Sequence, residues 1–428
     1  TLASALIANG VHLVGRSFKY HRPRGFFGAG VDEPYAIVQM NRNNEVDPNV
    51  RATEQELFEG LEAKSVNCWP NVDFDIGAIN NFLGKFFPAG FYYKTFMWPK
   101  SFWYKVYEPI IRKAAGFGAA SIKHDKEKYE HKYEYCDLLI TGSGPSGLAS
   151  AYAAAQNGAK VILAEDKSRF GGSLLTSEVT IGNQSGQEWA EKIISELKSM
   201  PNVIVKNRSQ VFGYYDHNML VMSERVSDHL PKTDKYTPKQ RLWYIRAKEV
   251  VISSGSIERP LVFGNNDTPG VMLSSAAKEY LKVYGVLVGK KPIIFTNNDS
   301  GYETAIEFKK NGVDPIVLDT RKDANSEIIK EAKELNINIK FSYVVVAAKG
   351  YKKVNSADIA KISDDKKVIS NIENIKCDCI CVSGFWTPTI HLASQSGNKT
   401  KFNEEIDAFI PSQSKQKETT LGSAKAVS

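Results

Sequence analysis

Residues 136–173 read CDLLITGSGPSGLASAYAAAQNGAKVILAEDKSRFGGS. Leu138, Leu139 and Ile140 form a short unbroken apolar run, the pattern of a parallel strand buried on both faces. The run passes directly into Gly142, Ser143, Gly144, Pro145, Ser146 and Gly147. From about Gly147 to Asn157 the chain is alanine-rich with no β-branched residue in its middle, which predicts a helix ended by Gly158. Val161 to Ala164 predicts a second buried strand, closed by Glu165. Strand, glycine turn, helix, strand and acid in this register make a dinucleotide-binding βαβ unit. Gly142 serves the tight turn, Gly144 lets backbone N–H groups approach a pyrophosphate, and Gly147 lets helix and strand pack closely. The helix N-terminus then faces the anion. Glu165, about eighteen residues past the last glycine, suits the hydroxyls of an adenosine ribose and repels a 2'-phosphate, so NAD or FAD is favoured over NADP. Asp166 and Lys167 flank that ribose, and Gly172 with Ser173 closes the far side.

Working outward, the helical stripe Trp189, Ile193, Ile194 and Leu197 is followed by three segments, Asn202–Val205, Val211–Asp216 and Met219–Ser223, that predict an antiparallel insert over the site. A strand from Trp243 runs into Ser253, Ser254 and Gly255, small residues that leave room beneath a dinucleotide. Gly384 occupies a later turn of the same kind, and Val211 and Leu392 complete the expected cofactor-binding set. A second βαβ unit comprises a strand at Lys291–Thr296, a helix at Tyr302–Lys310 and a strand at Pro315–Asp319. Its turn, Asn297 to Gly301, lacks two of the glycines that cradle a phosphate, so Asp319 is expected to be structural. The predicted class is therefore α/β, a Rossmann-like two-dinucleotide-binding fold.

At the other end, Thr1–Asn9 predicts a short helix, Ala36–Met40 a strand, and Glu45–Ala63 a helix with Leu57, Phe58 and Leu61 inward. The run Ser17–Val38 resembles the small ferredoxin-like domain associated with flavin amine oxidases and dehydrogenases. Cluster-bearing members hold cysteines there at C-x4-C-x2-C spacing. Here those places carry Phe27, Asp32 and Tyr35, and Cys68 alone cannot hold a cluster. The expectation is a ferredoxin-like α+β domain without iron, with Phe27 and Tyr35 filling the space and Asp32 facing solvent or Arg22 or Arg24. Trp69–Tyr107 is crowded with aromatic residues, including PAGFYYKTFMWP at 88–99. So much apolar surface implies interdomain core or a subunit contact. Ile122–Glu134 is a charged connector.

The 428 residues allow two or three domains, and 42% apolar composition is ordinary for a globular chain. No window reaches the apolar length of a membrane span. Five cysteines, three of them at Cys377, Cys379 and Cys381, fit a reducing cytoplasm rather than a disulfide framework. Those three alternate along a predicted strand, Lys376–Val382, so that their sulfurs share one face. They read as core residues rather than a metal site. The net charge of +7 is dispersed among acidic residues, which excludes a nucleic-acid stripe. No residue stands out as a catalytic acid, base or nucleophile, and no metal ligands are assigned.

Taken together, GVHLVGRSFKYHRPRG, PAGFYYKTFMWP, GSGPSGLASAYAAAQNG, RPLVFGNNDTPGVML, TNNDSGYETA and SGFWTPTIHLASQSG resemble the α subunits of heterotetrameric sarcosine oxidases. The resemblance covers nearly the whole chain. It implies NAD in the first dinucleotide site, with FAD and FMN carried by or shared with a partner subunit of the β, γ, δ set. It also implies oxidative demethylation of sarcosine to glycine with peroxide as product, and tetrahydrofolate as one-carbon acceptor on a further C-terminal domain. The expected domains are 1–65 (ferredoxin-like), 66–134 (aromatic connector), 135–285 with 375–410 (NAD-binding), 286–374 (second Rossmann-like) and 411–428 (a polar linker). The alternatives are a self-sufficient FAD/NADH oxidoreductase and a structural subunit of a related secondary-amine dehydrogenase.

Overall fold

A computed structural model describes residues 1–426 apart from 43–44, 87–89, 91–95, 116–120, 123, 232–233 and 235. The chain divides into two compact units, Thr1–Asp125 with Pro260–Gly384, and Lys126–Arg259 with Phe385–Ser428.

The second unit is built on the stretch quoted above. Strand β1 (Tyr129–Thr141) leads into helix α1 (Pro145–Gln156) and strand β2 (Val161–Ala164). α1 buries Gly147, Leu148, Ala151 and Ala155, a stripe of small residues that lets it lie close on the sheet. Helix α2 (Gly186–Ser199) starts at a capping box between Ser185 and Glu188 and buries Ile193, Ile194 and Leu197 as expected. Strands β3 (Val203–Lys206), β4 (Ser209–Tyr215), β5 (Met219–Arg225) and β6 (Gln240–Ile252) follow. The sheet order is β3-β2-β1-β6-β5-β4. β3 pairs parallel with β2, so it is the third strand of the Rossmann half and not part of an antiparallel insert; the antiparallel pairings are β4 with β5 and β5 with β6. β6 runs parallel to β1 for its whole length, from Gln240 opposite Tyr129 to Ile252 opposite Thr141. The charged connector therefore becomes sheet from Tyr129 onward.

The polar segment 411–428 is not a linker. Glu418–Thr420 forms strand β7, parallel to Val250–Ile252 of β6. The carboxylate of Glu418, buried there, accepts from Ser396 Oγ (2.7 Å) and Asn398 Nδ2 (3.1 Å), both just after helix α3 (His391–Gln395). Sheet pairing and this polar anchor hold a segment whose composition alone reads as disordered.

In the first unit a five-stranded parallel sheet runs in the order Val271–Leu273, Cys379–Ser383, Pro292–Thr296, Ile316–Asp319, Asn338–Phe341. The boundary to the nucleotide unit thus falls before Pro260, not at 285, because Val271–Leu273 and the helix Ser274–Tyr284 belong to this sheet. Ser342, at φ +58°, ends the strand Asn338–Phe341 and sends Tyr343–Gly350 into a separate three-stranded antiparallel sheet. Lys376–Val382 is divided likewise between Glu373–Lys376 and Cys379–Ser383. In consequence Cys379 and Cys381 share one core, with their sulfurs 3.4 Å apart, while Cys377 packs in another.

The N-terminal residues join this unit through a common core in which Leu2, Phe26 and Val38 pack with Tyr280, Tyr302 and Phe308. Glu45–Ala63 is not a helix. Glu45–Arg51 and Glu62–Ser65 flank the strand Ile37–Arg42 in a three-stranded antiparallel sheet. Pro48 lacks the N–H a helix interior needs, and Val46 and Val50 favour the strand. Of the aromatic stretch, Trp69, Phe74, Phe82, Trp98 and Tyr104 are exposed, Phe82 and Trp98 by 84% and 83%; most of Pro88–Thr95 lies outside the described residues.

Candidate nucleotide-binding site

The turn between β1 and α1 is shaped by two glycines that nothing larger could replace. Gly142, at φ +99°, would place a Cβ 2.3 Å from the carbonyl oxygen of Ser253. At Gly147 a Cβ would lie 2.0 Å from the carbonyl oxygen of Gly142 and 2.7 Å from Ser253 Oγ. Ser253, expected only as a small residue beneath the dinucleotide, pins the turn by placing its hydroxyl 2.9 Å from both the Thr141 and Gly142 carbonyls. Gly144 differs: a Cβ there would meet nothing within 4 Å. It is the N-cap of α1, with Pro145 at the first helical position, so this open face lies where the free N–H groups of the helix point. Such a face fits a pyrophosphate.

Glu165 is buried behind the turn, 6% exposed. Its Oε2 accepts the backbone N–H (2.9 Å) and the hydroxyl (2.5 Å) of Ser143, and its Oε1 accepts the N–H of Lys167 at 3.1 Å. Burial, with the Asp166 carboxyl beside it, pushes the Glu165 carboxyl up to about 8, against the pull of Ser143 and Lys167. Gly171 donates to Ser143 Oγ at 3.2 Å, and a Cβ on Gly172 would lie 2.9 Å from the Cα of Gly144, which brings the 171–173 turn to the same spot.

The other expected residues are placed differently. Ser254 Oγ donates to the Thr389 carbonyl, and Gly255, at φ +74°, accepts from the Thr389 N–H. Leu392 is buried in the sheet core with Ile162 and Trp243, and Val211 packs against the same core. Gly384 is the last residue of the other unit, buried after Cys379–Ser383. Two residues not anticipated stand at the turn instead. A Cβ on Gly422 would lie 2.7 Å from Ser146 Oγ, and Ser423 Oγ is the nearest atom to the face of Gly255, at 3.9 Å. The Leu-Gly-Ser run after β7 is a signal too short to read without the strand that delivers it.

The second βαβ unit fills its own turn. Asn298 Nδ2 donates to the Ser383 carbonyl at 3.1 Å, and its Oδ1 accepts the Ser300 N–H at 2.9 Å. Arg321 bridges Asp299 and Asp319 at 2.8 Å each, and Tyr302 donates its hydroxyl to Asp319. The acid at the second strand's end is thus engaged within the fold.

In the N-terminal loop Phe27 and Tyr35 meet edge to face, ring centroids 5.8 Å apart. Between them Glu33, 1% exposed, receives four backbone N–H groups: Phe27 (2.6 Å) and Gly28 (2.8 Å) on Oε2, Tyr35 (2.6 Å) and Ala36 (3.0 Å) on Oε1. Burial pushes this carboxyl above the usual range and the four donors pull it back. Asp32 turns to the Gly30 N–H at 3.2 Å, while Arg22 and Arg24 both bind Asp267. Of the two expected surroundings of Asp32, solvent or an arginine, the arginines are taken by Asp267, which is remote in sequence and presented only by the fold. Among the described residues no three His, Cys, Asp or Glu side chains gather as a metal site.

A family model for the pyridine nucleotide-disulphide oxidoreductases matches residues 136–410, the greater part of the chain. The chain belongs to that family. A model for the 2Fe-2S iron-sulfur cluster binding domain matches residues 1–68. The sarcosine oxidase α subunit of Rhizobium meliloti (strain 1021) is 46% identical over 411 residues, covering 96% of this chain and 40% of that protein. The one from Corynebacterium sp. (strain U-96) is 29% identical over 416 residues, covering 96% and 38%. The chain therefore spans about two-fifths of the length of these relatives. L-proline dehydrogenase from P. horikoshii shares the fold, with a TM-score of 0.60 at 18% identity, over 99% of this chain and 65% of that one. Among the described residues no helix is long and apolar enough to cross a membrane.

Proposed function

We propose that this oxidoreductase-family chain acts as an α-type subunit of a sarcosine oxidase, holding NAD on the turn Gly142–Gly147. The observation that carries the nucleotide reading is the open face of Gly144 above the N-terminus of α1. Gly142 and Gly147 are required by packing, whereas the glycine at 144 answers to nothing inside the protein. A bound nicotinamide dinucleotide supplies hydride-transfer chemistry. The chain's residues bind and orient it: α1 N–H groups hold the pyrophosphate, Glu165 and Asp166 receive the ribose, and Gly172 and Gly422 let neighbouring backbone close over it. Ser254, Gly255 and Ser423 are assigned the remainder of the cofactor environment. FAD and FMN belong to partner β-, γ- and δ-type subunits or to their boundary with this chain, and tetrahydrofolate takes the one-carbon unit elsewhere in the complex.

No residue stands out in the sequence as a catalytic acid, base or nucleophile, which supports a requirement for partners. The exposed aromatic residues of 69–107 support the same reading, since leaving them in water costs about 25 cal/mol per Å². The self-sufficient FAD/NADH enzyme needs a second nucleotide at Asn297–Gly301, where Asn298 and Arg321 already bond. The test is to denature the purified chain and identify released nucleotide, then assay peroxide from sarcosine with FAD and FMN, alone and with a flavin-bearing β-type subunit. NAD near one equivalent, and turnover only with the partner, is expected. Stoichiometric FAD, or turnover by the chain alone, would overturn the reading.

We further propose that residues 1–68 carry no 2Fe-2S cluster. Phe27, Asp32 and Tyr35 supply no thiolate, and the loop's N–H groups, which would face cluster sulfur, are bonded to Glu33. Iron and acid-labile sulfide below a tenth of an equivalent are expected (~0.1 or less); near-stoichiometric amounts would refute this.

A further inference from the structure

We propose that the hydroxyls of Ser146 and Ser423, brought together at the glycine turn by the C-terminal strand, both donate to the pyrophosphate of the bound nucleotide. The inference rests on the NAD reading above and adds two donors to it, one of them from a segment far along the chain.

A phosphate oxygen accepts and does not donate, so a serine serves it only with a hydroxyl proton not already given to a protein oxygen. Most serines around the turn fail this condition. Ser143 gives its hydroxyl to Glu165 Oε2, and Ser253 shares its own between the Thr141 and Gly142 carbonyls. Ser254 donates to the Thr389 carbonyl and Ser150 to the Ser146 carbonyl. Ser146 and Ser423 are different. Both are half-buried, and among the described residues no protein group bonds to either hydroxyl. Like the open face of Gly144, these two protons answer to nothing inside the protein.

Their meeting is a product of the fold. Ser146 follows Pro145 in the first turn of α1, where the free N–H groups of the helix lie. Ser423 arrives from the other end of the chain. β7 lies along Val250–Ile252, the Leu421 N–H bonds to the Ile252 carbonyl at 2.9 Å, and Leu421 packs against the core of Ile140, Leu148 and Leu163. Gly422 then turns at φ +60°, so close to α1 that a Cβ on it would lie 2.7 Å from Ser146 Oγ. The next residue, Ser423, brings its Oγ to 3.9 Å from the position of a Cβ on Gly255. The two hydroxyls thus stand at the start of α1, one from the helix and one from the tail. A diphosphate offers them the acceptors that the protein does not, and its charge strengthens each bond.

The experiment is calorimetric titration of the full chain, stripped of nucleotide, with NAD and with ADP, which carries the same adenosine and two phosphates without the nicotinamide. Ser146→Ala and Ser423→Ala should each weaken both ligands about tenfold, and the double variant roughly a hundredfold, since a hydrogen bond to a charged group is lost at each site. The nucleotide-free variants should melt with the unsubstituted chain, because neither hydroxyl bonds within the protein. Undiminished affinity for NAD and ADP in the double variant overturns the proposal and leaves the NAD reading intact. A weakened affinity matched by a lowered melting temperature of the nucleotide-free variants also overturns it, by showing that the serines serve the fold. If ADP binds and NAD does not, the NAD reading fails and the ADP titrations still decide the serines. If neither binds the unsubstituted chain, both fall.

Discussion

Replacing Glu33 with alanine is expected to cost the first unit about 4 to 6 kcal/mol, a large part of the 5 to 15 kcal/mol that holds a typical domain. The four N–H groups of Phe27, Gly28, Tyr35 and Ala36 converge on this one carboxyl, and each would lose its acceptor in a buried loop. An orphaned buried donor costs about 1 to 3 kcal/mol, reduced here because a buried carboxyl, itself costly to desolvate, is removed as well. Glu33→Gln keeps one strong acceptor oxygen and should lose about half as much. The damage should spread beyond the loop, because Leu273 donates its N–H to the Phe27 carbonyl and Tyr280 its hydroxyl to the Gly28 carbonyl. The measurement is denaturant unfolding together with amide hydrogen exchange at positions 27, 28, 35 and 36. Unchanged exchange at those amides in Glu33→Ala would show that the carboxyl does not hold the loop.

The second large effect is on ligand and not on fold. Gly144→Val should leave the melting temperature nearly unchanged, because a Cβ at 144 meets no atom within 4 Å and the backbone there, φ −64° and ψ −179°, suits any residue. The same side chain would stand on the face reserved for the pyrophosphate. Losing two charge-assisted N–H bonds at about 1.5 to 3 kcal/mol each predicts a fall in NAD affinity of more than about a hundredfold. Gly147→Ala should instead lower both stability and binding, since its Cβ would lie 2.0 Å from the Gly142 carbonyl oxygen. Calorimetric binding and thermal unfolding of the two variants separate a glycine kept for a ligand from one kept for packing. Retained NAD in Gly144→Val would remove the main support for the site.

The nucleotide half was legible because its determinants are local. Strand, turn, helix and strand lie within thirty residues (roughly one βαβ unit), and each boundary is set by neighbours in sequence: Pro145 starts α1, and Gly158, at φ +81°, ends it. The second βαβ unit was legible for the same reason, as was the absence from its turn of glycines. What failed depended on partners far along the chain. Glu45–Ala63 has apolar spacing that fits a helix, yet Ile37–Arg42 offers strand edges on both sides and Pro48 removes the alternative. Val203–Lys206 looks the same whether it pairs parallel or antiparallel, and only its place beside β2 decides. The tail at 411–428 is polar in composition and ordered by β6 and by the buried Glu418.

The site divides along the same line. The sequence by itself determined the glycines and the acid at 165, because these are matters of residue type and spacing. Only the tertiary structure decided what each carboxyl does. Glu165 buttresses the turn through Ser143, Asp319 is bridged by Arg321, and Glu33 gathers four N–H groups. A carboxylate's role follows from which donors converge on it and how much water they exclude, and those are set by segments that meet only when the chain has folded.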